Sequence, residues 1–441
     1  MKFFIYSLGW FAISACPAAD VVSDVVTHAR QELAAAPRAL RPELPVGVFD
    51  SGIGGLTVLE AILDLDAFNN YTLQPGSDGR PDFEHERLIY LGDQANMPYG
   101  NYSAAGKTDF LRELILRDAL FLLKQRVKAV VIACNTATAY GLDDIREMAK
   151  QLDLPVVVIG VVEAGARGVA SGLPRELGKA GVGVLATVGT CTTGAYPKSI
   201  NTQSGQAGKS PPDVCQQGSI GLAGAIEGDP GFITDEEKRT TPYAGPVLKS
   251  PEGFDRAGLL QAEDGTWQLN SLANYLRYDL RELLESHKES GSKVPVDRVV
   301  LGCTHFPLVQ EEILATLKEL REKPAYRALV AEDVELINPA ELTAKELFRS
   351  LAQARLRRTT ASNDPHLFYI SVPNPNASGV KLDASGKLDR GYQYGRNAGT
   401  PGRNDTQVVP MAIKLLPAAS RSLVEKHLTA VWAAMNRTRS E

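Results

Sequence analysis

The chain has 441 residues, 44% hydrophobic and 22% charged, with a formal net charge of −5. That length exceeds one compact core, so two domains, or one with insertions, are expected. A slightly acidic chain with no long basic run argues against nucleic acid as a principal partner, and no internal stretch approaches the roughly 18 apolar residues of a membrane-spanning helix.

Met1 to Ala19 carries one early positive charge at Lys2, an apolar run and then small residues. This is the pattern of a secretory signal peptide cleaved after Ala18 or Ala19. Ile13-Ser-Ala-Cys16 also resembles a bacterial lipobox, which would make Cys16 a lipid anchor; a buried N-terminal helix is the bland alternative. Export, as to a periplasm, is the preferred expectation, with a cytoplasmic protein if the leader is retained. Residues 20–44 read as a helix and a linker punctuated by Pro37 and Pro42.

The globular part opens with an apolar strand, Val46-Gly-Val-Phe-Asp-Ser51, a turn containing Gly52, Gly54 and Gly55, and a helix from Leu56. The turn lacks the dinucleotide spacing and the phosphate-loop lysine, so a turn presenting Asp50 and Ser51 to a carboxylate fits better than a nucleotide site. A polar, Gly- and Pro-rich insertion over 71–86 precedes a strand at Leu88–Gly92. A helix over 107–125 leads to Val130-Val-Ile-Ala-Cys-Asn-Thr136, a buried parallel strand ending in a thiol and two hydrogen-bonding residues. A helix over 141–151 and a strand over 155–159 follow.

The pattern then restarts. Val182-Gly-Val-Leu-Ala-Thr187 echoes the first strand, and Val299-Val-Leu-Gly-Cys-Thr-His305 echoes the strand of Cys134. Residues 197–212 and 228–253 read as long loops, and helices are expected over 269–287, 308–323, 343–358 and 418–435. Strands near 334–337 and 367–372 and a low-complexity stretch over 373–403 complete the chain. Strands alternating with helices predict an α/β fold. Its two pseudo-symmetric lobes would each be a mostly parallel sheet flanked by helices, around a shared cleft. The first lobe would comprise 45–153 and 309–441, and the second 154–308 with inserted loops.

Two thiols facing one another suit proton transfer on both faces of a carbon, because a thiol near pKa 8.5 serves as acid or base after modest tuning. Asp50 is placed to act on Cys134, and His305 on Cys303. Ser51, Asn135, Thr136 and Thr304 can bind carboxylate or ammonium groups. A buried cysteine is more often an inert apolar filler. A zinc site lacks the spacing of ligand pairs, and a Cys303–His305 nucleophile pair within one short turn rarely has the geometry. His28, His85, His287, His366 and His427 are assigned to surface or packing. Five cysteines do not make a disulfide framework in so long a chain, though Cys191 and Cys215 can pair in an oxidising compartment.

The ordered blocks Asp50-Ser-Gly-Ile-Gly-Gly-Leu56, Asp93 with Pro98-Tyr-Gly100, Ala133-Cys-Asn-Thr-Ala137, Gly160-Val-Val-Glu-Ala-Gly165, Gly183 to Thr190 with Tyr196, and Leu301-Gly-Cys-Thr-His-Phe-Pro-Leu308 resemble the aspartate/glutamate racemase superfamily, and within it most closely the glutamate racemases. The resemblance implies a cofactor-independent racemase, with no metal, acting on a small acidic amino acid and compatible with a homodimer. It implies that Cys134 and Cys303 are the alternate bases. Substrate contacts fall on Asp50, Ser51, Tyr99, Gly100, Asn135, Thr136, Thr304 and His305, and an assisting glutamate on Glu227. Insertions over 74–86, 198–210, 228–253 and 373–403 depart from the compact pattern. Aspartate or another acidic compound is an alternative substrate. A hydantoin-racemase-like or maleate-isomerase-like activity, a decarboxylase, which would keep one cysteine, and an exported acidic-amino-acid binding protein are further alternatives.

Overall fold

The computed structural model of the chain describes residues 20–33, 39–173, 180–236, 239–362, 364–416 and 418–437. Residues 1–19, the expected leader with Cys16, lie outside them. Among the described residues no helix is long and apolar enough to cross a membrane.

The first sheet begins with β1 (Val46–Asp50), β2 (Leu88–Gly92), β3 (Ala129–Ile132) and β4 (Val157–Gly160). β1 lies between β2 and β3 in parallel register, with Val46 opposite both Leu88 and Ala129. Every residue of β1, β2 and β3 is buried, which is why they read as unbroken apolar runs: helices cover both faces. One face carries helices Val21–Glu32, Thr108–Lys124 and Asn135–Gln151. The other carries Leu56–Asp64, Pro339–Gln353 and the two C-terminal helices.

The second sheet contains β5 (Gly181–Thr187) and β6 (Asp213–Ser219). A small antiparallel sheet follows from β7 (Val247–Leu248), β8 (Leu259–Gln261) and β9 (Trp267–Leu269). β10 (Val296–Gly302) and β11 (Val330–Ile337) then complete the second sheet in the order β11-β10-β5-β6, all parallel. The chain finally returns to the first sheet through β12 (Leu367–Pro373), parallel to β2, and β13 (Thr406–Pro410), antiparallel to β12.

This arrangement corrects several expectations. β4 pairs with β3 and β11 with β10. The lobes therefore exchange after residues 160 and 337 rather than after 153 and 308. The helix expected from 141 starts at Asn135, because Cys134 itself caps it, its Sγ accepting from Ala137 N at 3.4 Å. Residues 197–212 are largely not a loop: a helix spans Ala195–Gln206, since a proline in the first turn lacks only an N–H that the helix would leave unpaired. The final helix is two, Ala418–His427 and Thr429–Arg437. The second is capped by Glu60 of the first lobe, which accepts from Ala430 N and Val431 N at 2.9 and 2.8 Å. Cys191 and Cys215 are separate free thiols.

Candidate active site

The candidate side chains gather at or beyond the carboxyl ends of parallel strands, where an open α/β sheet places its ligands. After β1 the chain turns sharply and brings its own amides back onto Asp50. Oδ2 accepts from Gly52 N at 3.3 Å and Gly55 N at 2.8 Å. Oδ1 is buried without a hydrogen-bond partner. Burial raises the pKa of this carboxyl; the charge on His305, the two amides and the Cys134 thiol offset it only in part.

After β3 comes Cys134, 6% exposed. Its thiol donates to Ser51 Oγ at 3.6 Å. Burial, and behind it the Asp50 carboxylate, push this thiol's pKa upward. The resting group is therefore a protonated thiol held between Ser51 and the start of a helix.

The second sheet supplies the opposing set. Past β10, Cys303 is 8% exposed and its Sγ lies 3.6 Å from His305 Nδ1. His305 Nε2 meets Glu227 Oε1 at 2.8 Å, both side chains being nearly sealed from water. Burial works to lower the pKa of this ring, but its bonds to Cys303 and Glu227 overcome that and raise it well above 6.5. Set between Cys303 and Glu227, the ring is placed to exchange a proton with the thiol. Glu227, placed by block order alone in the sequence, lands in contact with its histidine.

The two sets meet through close contacts between lobes. A Cβ on Gly54 would run into the His305 ring and approach Thr304 Oγ1 to 2.6 Å, so only glycine lets the Asp50 turn lie against His305. Thr57 Oγ1 donates to Thr304 O at 3.0 Å. Asn135 Oδ1 accepts from Tyr196 OH at 2.6 Å. The Thr136 hydroxyl lies 3.2 Å from Thr187 and 3.1 Å from Thr190. Gly100 packs so tightly on Gly189 that a Cβ on the latter would stand 2.7 Å from Gly100 Cα. A small cavity of about 10 Å³ beside this cluster is lined by residues including Thr57, Asn135, Cys303, Thr304 and Pro339. Cys303 forms part of its wall and Cys134 does not.

Tyr99 is buried. Its hydroxyl is occupied by two carboxylates, lying 2.6 Å from both Asp93 Oδ2 and Asp118 Oδ2, so it offers no side-chain hydrogen bond to a ligand. Asp118 was not singled out from the sequence, where it is one acid within an amphipathic helix. Among the described residues no group of three or more His, Cys, Asp or Glu side chains is placed to hold a metal ion.

The sequence pattern of the Asp/Glu/Hydantoin racemase family matches residues 80–231. A glutamate racemase of Geobacter metallireducens is 30% identical over 358 residues, covering 81% of this chain and 98% of that protein. The chain belongs to the Asp/Glu/hydantoin racemase family. A second relative in that family, a glutamate racemase of Limosilactobacillus fermentum, is 30% identical over 79% of this chain and 96% of its own length. Among solved structures, a glutamate racemase from Bacillus anthracis is 24% identical over 74% of this racemase-family chain and 88% of that one, with a TM-score of 0.49.

Proposed function

We propose that the protein is a cofactor-independent racemase interconverting L- and D-glutamate. The observation that carries this reading is the pair of buried cysteines, one past β3 and one past β10, each with its own acid–base partner: Asp50 for Cys134, and His305 with Glu227 for Cys303. In the forward direction one thiolate removes the Cα proton. The electron pair of the broken C–H bond rests on the carbanion, whose charge spreads into the carboxyl group. The opposite thiol then delivers a proton to the other face and becomes the thiolate. The reverse reaction exchanges the two roles. Asn135, Thr136, Thr304 and Ser51 supply donors for the substrate carboxylates and acceptors for its ammonium.

The test is solvent hydrogen exchange. Each glutamate enantiomer, incubated with the full chain in D2O without added cofactor, should gain deuterium at Cα as it racemises. Cys134→Ala and Cys303→Ala should each lower racemisation by roughly 10²–10⁴-fold or more, the contribution of a positioned acid or base. Full activity in either variant sinks the two-base reading, and binding of glutamate without exchange would instead favour a binding protein. Running aspartate beside glutamate decides the preferred acid.

The leader supports export. Cell-wall precursors take up D-glutamate in the cytoplasm, so an exported enzyme would serve another pool. The mass of the mature N-terminus distinguishes cleavage after Ala18 or Ala19, a lipidated Cys16 and an intact leader.

A further inference from the structure

The stretch between β12 and β13 folds back over residues 93–102 and is fastened there by a buried cation and two flanking hydrogen bonds. Arg396 is 4% exposed, and all three of its nitrogens are bonded. Nε donates to Gln393 O at 3.0 Å and Nη1 to Asp405 Oδ2 at 2.8 Å. Nη2 donates to Asn96 Oδ1 at 2.6 Å and Tyr102 OH at 2.8 Å. The Phe110 ring lies against the guanidinium, 4.8 Å from Cζ. Two flanking bonds tie the same partners: Gln393 Nε2 donates to Met97 O at 3.0 Å, and Asn101 Nδ2 donates to Tyr394 OH at 3.2 Å.

The fastened segment is the one that packs on the active site. Gln94 Oε1 accepts from Ile53 N, inside the Asp50 turn, at 3.2 Å. A Cβ on Gly52 of that turn would collide with Met97 Sδ. Asn96 Nδ2 donates to both oxygens of Asp93 at 2.9 Å. At its other end the segment presents Gly100 to Gly189 and Thr187 of the second sheet. The inserted stretch also reaches the second lobe, where Lys387 Nζ lies 3.9 Å from the carboxylate of Asp229, two residues past Glu227. That exposed pair contributes little by itself. Glu113, accepting from Gly399 N and Thr400 N, and Arg117, donating to Arg403 O, tie the stretch to the helix over 108–124, while its bonds to residues 96–102 come from Arg396, Gln393 and Tyr394, and of these only Arg396 is charged.

We propose that Arg396 is a positioning residue for racemisation: it holds residues 94–102 against the Asp50 turn and Gly189, so that the binding-competent site is assembled before substrate arrives. This rests on the racemase reading above. If the segment is released, only a fraction of molecules presents the competent site, and apparent affinity drops by that fraction while the thiols and their partners stay in place.

The experiment uses the full chain and two variants, Arg396→Met and the double variant Gln393→Ala/Tyr394→Phe, which removes the flanking bonds without unpairing a charge. Two readouts are taken: hydrogen–deuterium exchange of peptides covering 93–104, and KM against kcat for glutamate. Arg396→Met should speed exchange in that segment and raise KM by about tenfold with kcat changed by less than about threefold. Peptides from β5 and β10 should exchange as in the parent. The double variant should move both readouts in the same direction by a smaller factor, and it alone decides if Arg396→Met does not fold. Unchanged exchange in 93–104, or a loss of kcat at unchanged KM, overturns the proposal. If the parent chain does not racemise glutamate, the functional reading fails, while the exchange data still decide whether Arg396 holds the segment.

Discussion

Replacing Glu227 with glutamine isolates the partner of the second thiol. The substitution keeps the shape of the side chain and removes the charge that faces His305 Nε2 at 2.8 Å. Both side chains are nearly closed to solvent, so water does not stand in for the lost carboxylate. A hydrogen bond to a charged group contributes about 1.5–3 kcal/mol, which corresponds to roughly a 10- to 150-fold change in rate. In the parent, burial alone would lower the ring's pKa, and the bonds to Cys303 and Glu227 raise it well above 6.5. With glutamine the balance returns to burial and the ring loses its proton nearer neutrality. The expected result is a 10- to 150-fold fall in kcat/KM at neutral pH that shrinks as the pH is lowered toward about 6 and protonation is restored. The fall must be equal from either enantiomer, since their equilibrium constant is one and fixes the ratio of the two kcat/KM values. Circular dichroism of both directions between pH 5.5 and 9 measures it. Folding stability gives a second readout. A raised folded-state pKa means that this histidine's contribution is fully present below about pH 6.5 and is lost as pH rises through the folded value. That slope should flatten in Glu227→Gln. A variant with parental kcat/KM, or a loss that does not depend on pH, refutes the role assigned to Glu227.

Substitutions at two further positions test the scaffold. Lys128 is wholly buried, with Nζ 2.6 Å from Glu86 Oε2, 2.6 Å from Pro42 O and 2.7 Å from Leu356 O; Lys128→Ala should cost about 3–5 kcal/mol by urea unfolding, because it strands a buried carboxylate, and a shift below about 1 kcal/mol would refute that account. Around Tyr99, one phenol hydrogen cannot serve both carboxylates at 2.6 Å, so one of them is protonated. Burial and then the Asp93 charge raise the pKa of Asp118 well above the usual range, which assigns the proton to Asp118. Asp118→Asn should therefore lie within about 1 kcal/mol of the parent, while Asp118→Ala should cost about 1–3 kcal/mol through the unmet hydrogen bond. Equal destabilisation by both would place the proton elsewhere.

What the sequence revealed follows how local each signal is. β1, β2 and β3 are short runs buried on both faces, and their apolar character is readable without knowing their neighbours. Cys134 and Cys303 were conspicuous because each breaks such a run with a thiol followed by polar residues. The lobe boundary was not readable, because whether residues 157–160 pair with β3 or with a later strand is a tertiary choice between two apolar partners. β13 is half-exposed at a sheet edge, so it has neither a continuous run nor a clean alternation. Asn135 and Thr136 looked like strand-end loop residues, since nothing in their own types announces a helix capped by a sulfur. The partner of His305 lies 78 residues away in sequence and that of Arg396 300 away. No periodicity spans such distances, so Arg396 gave no signal at all.

The return of the chain to the first sheet has a consequence for synthesis. β2 offers its free edge to β12 along Ile89–Gly92, and Lys128 waits for the carbonyl of Leu356, yet both partners follow the entire second sheet in the chain. A nascent first lobe therefore emerges with an unpaired, fully buried-type strand edge and an unsatisfied lysine, while β5, β6, β10 and β11 occupy one contiguous stretch, 181–337. The second lobe can close on itself as it leaves the ribosome, and the first cannot. The interval before residues 367–373 appear is when edge-to-edge association is most exposed. A chain truncated before β12 should aggregate through β2 and not simply lose activity.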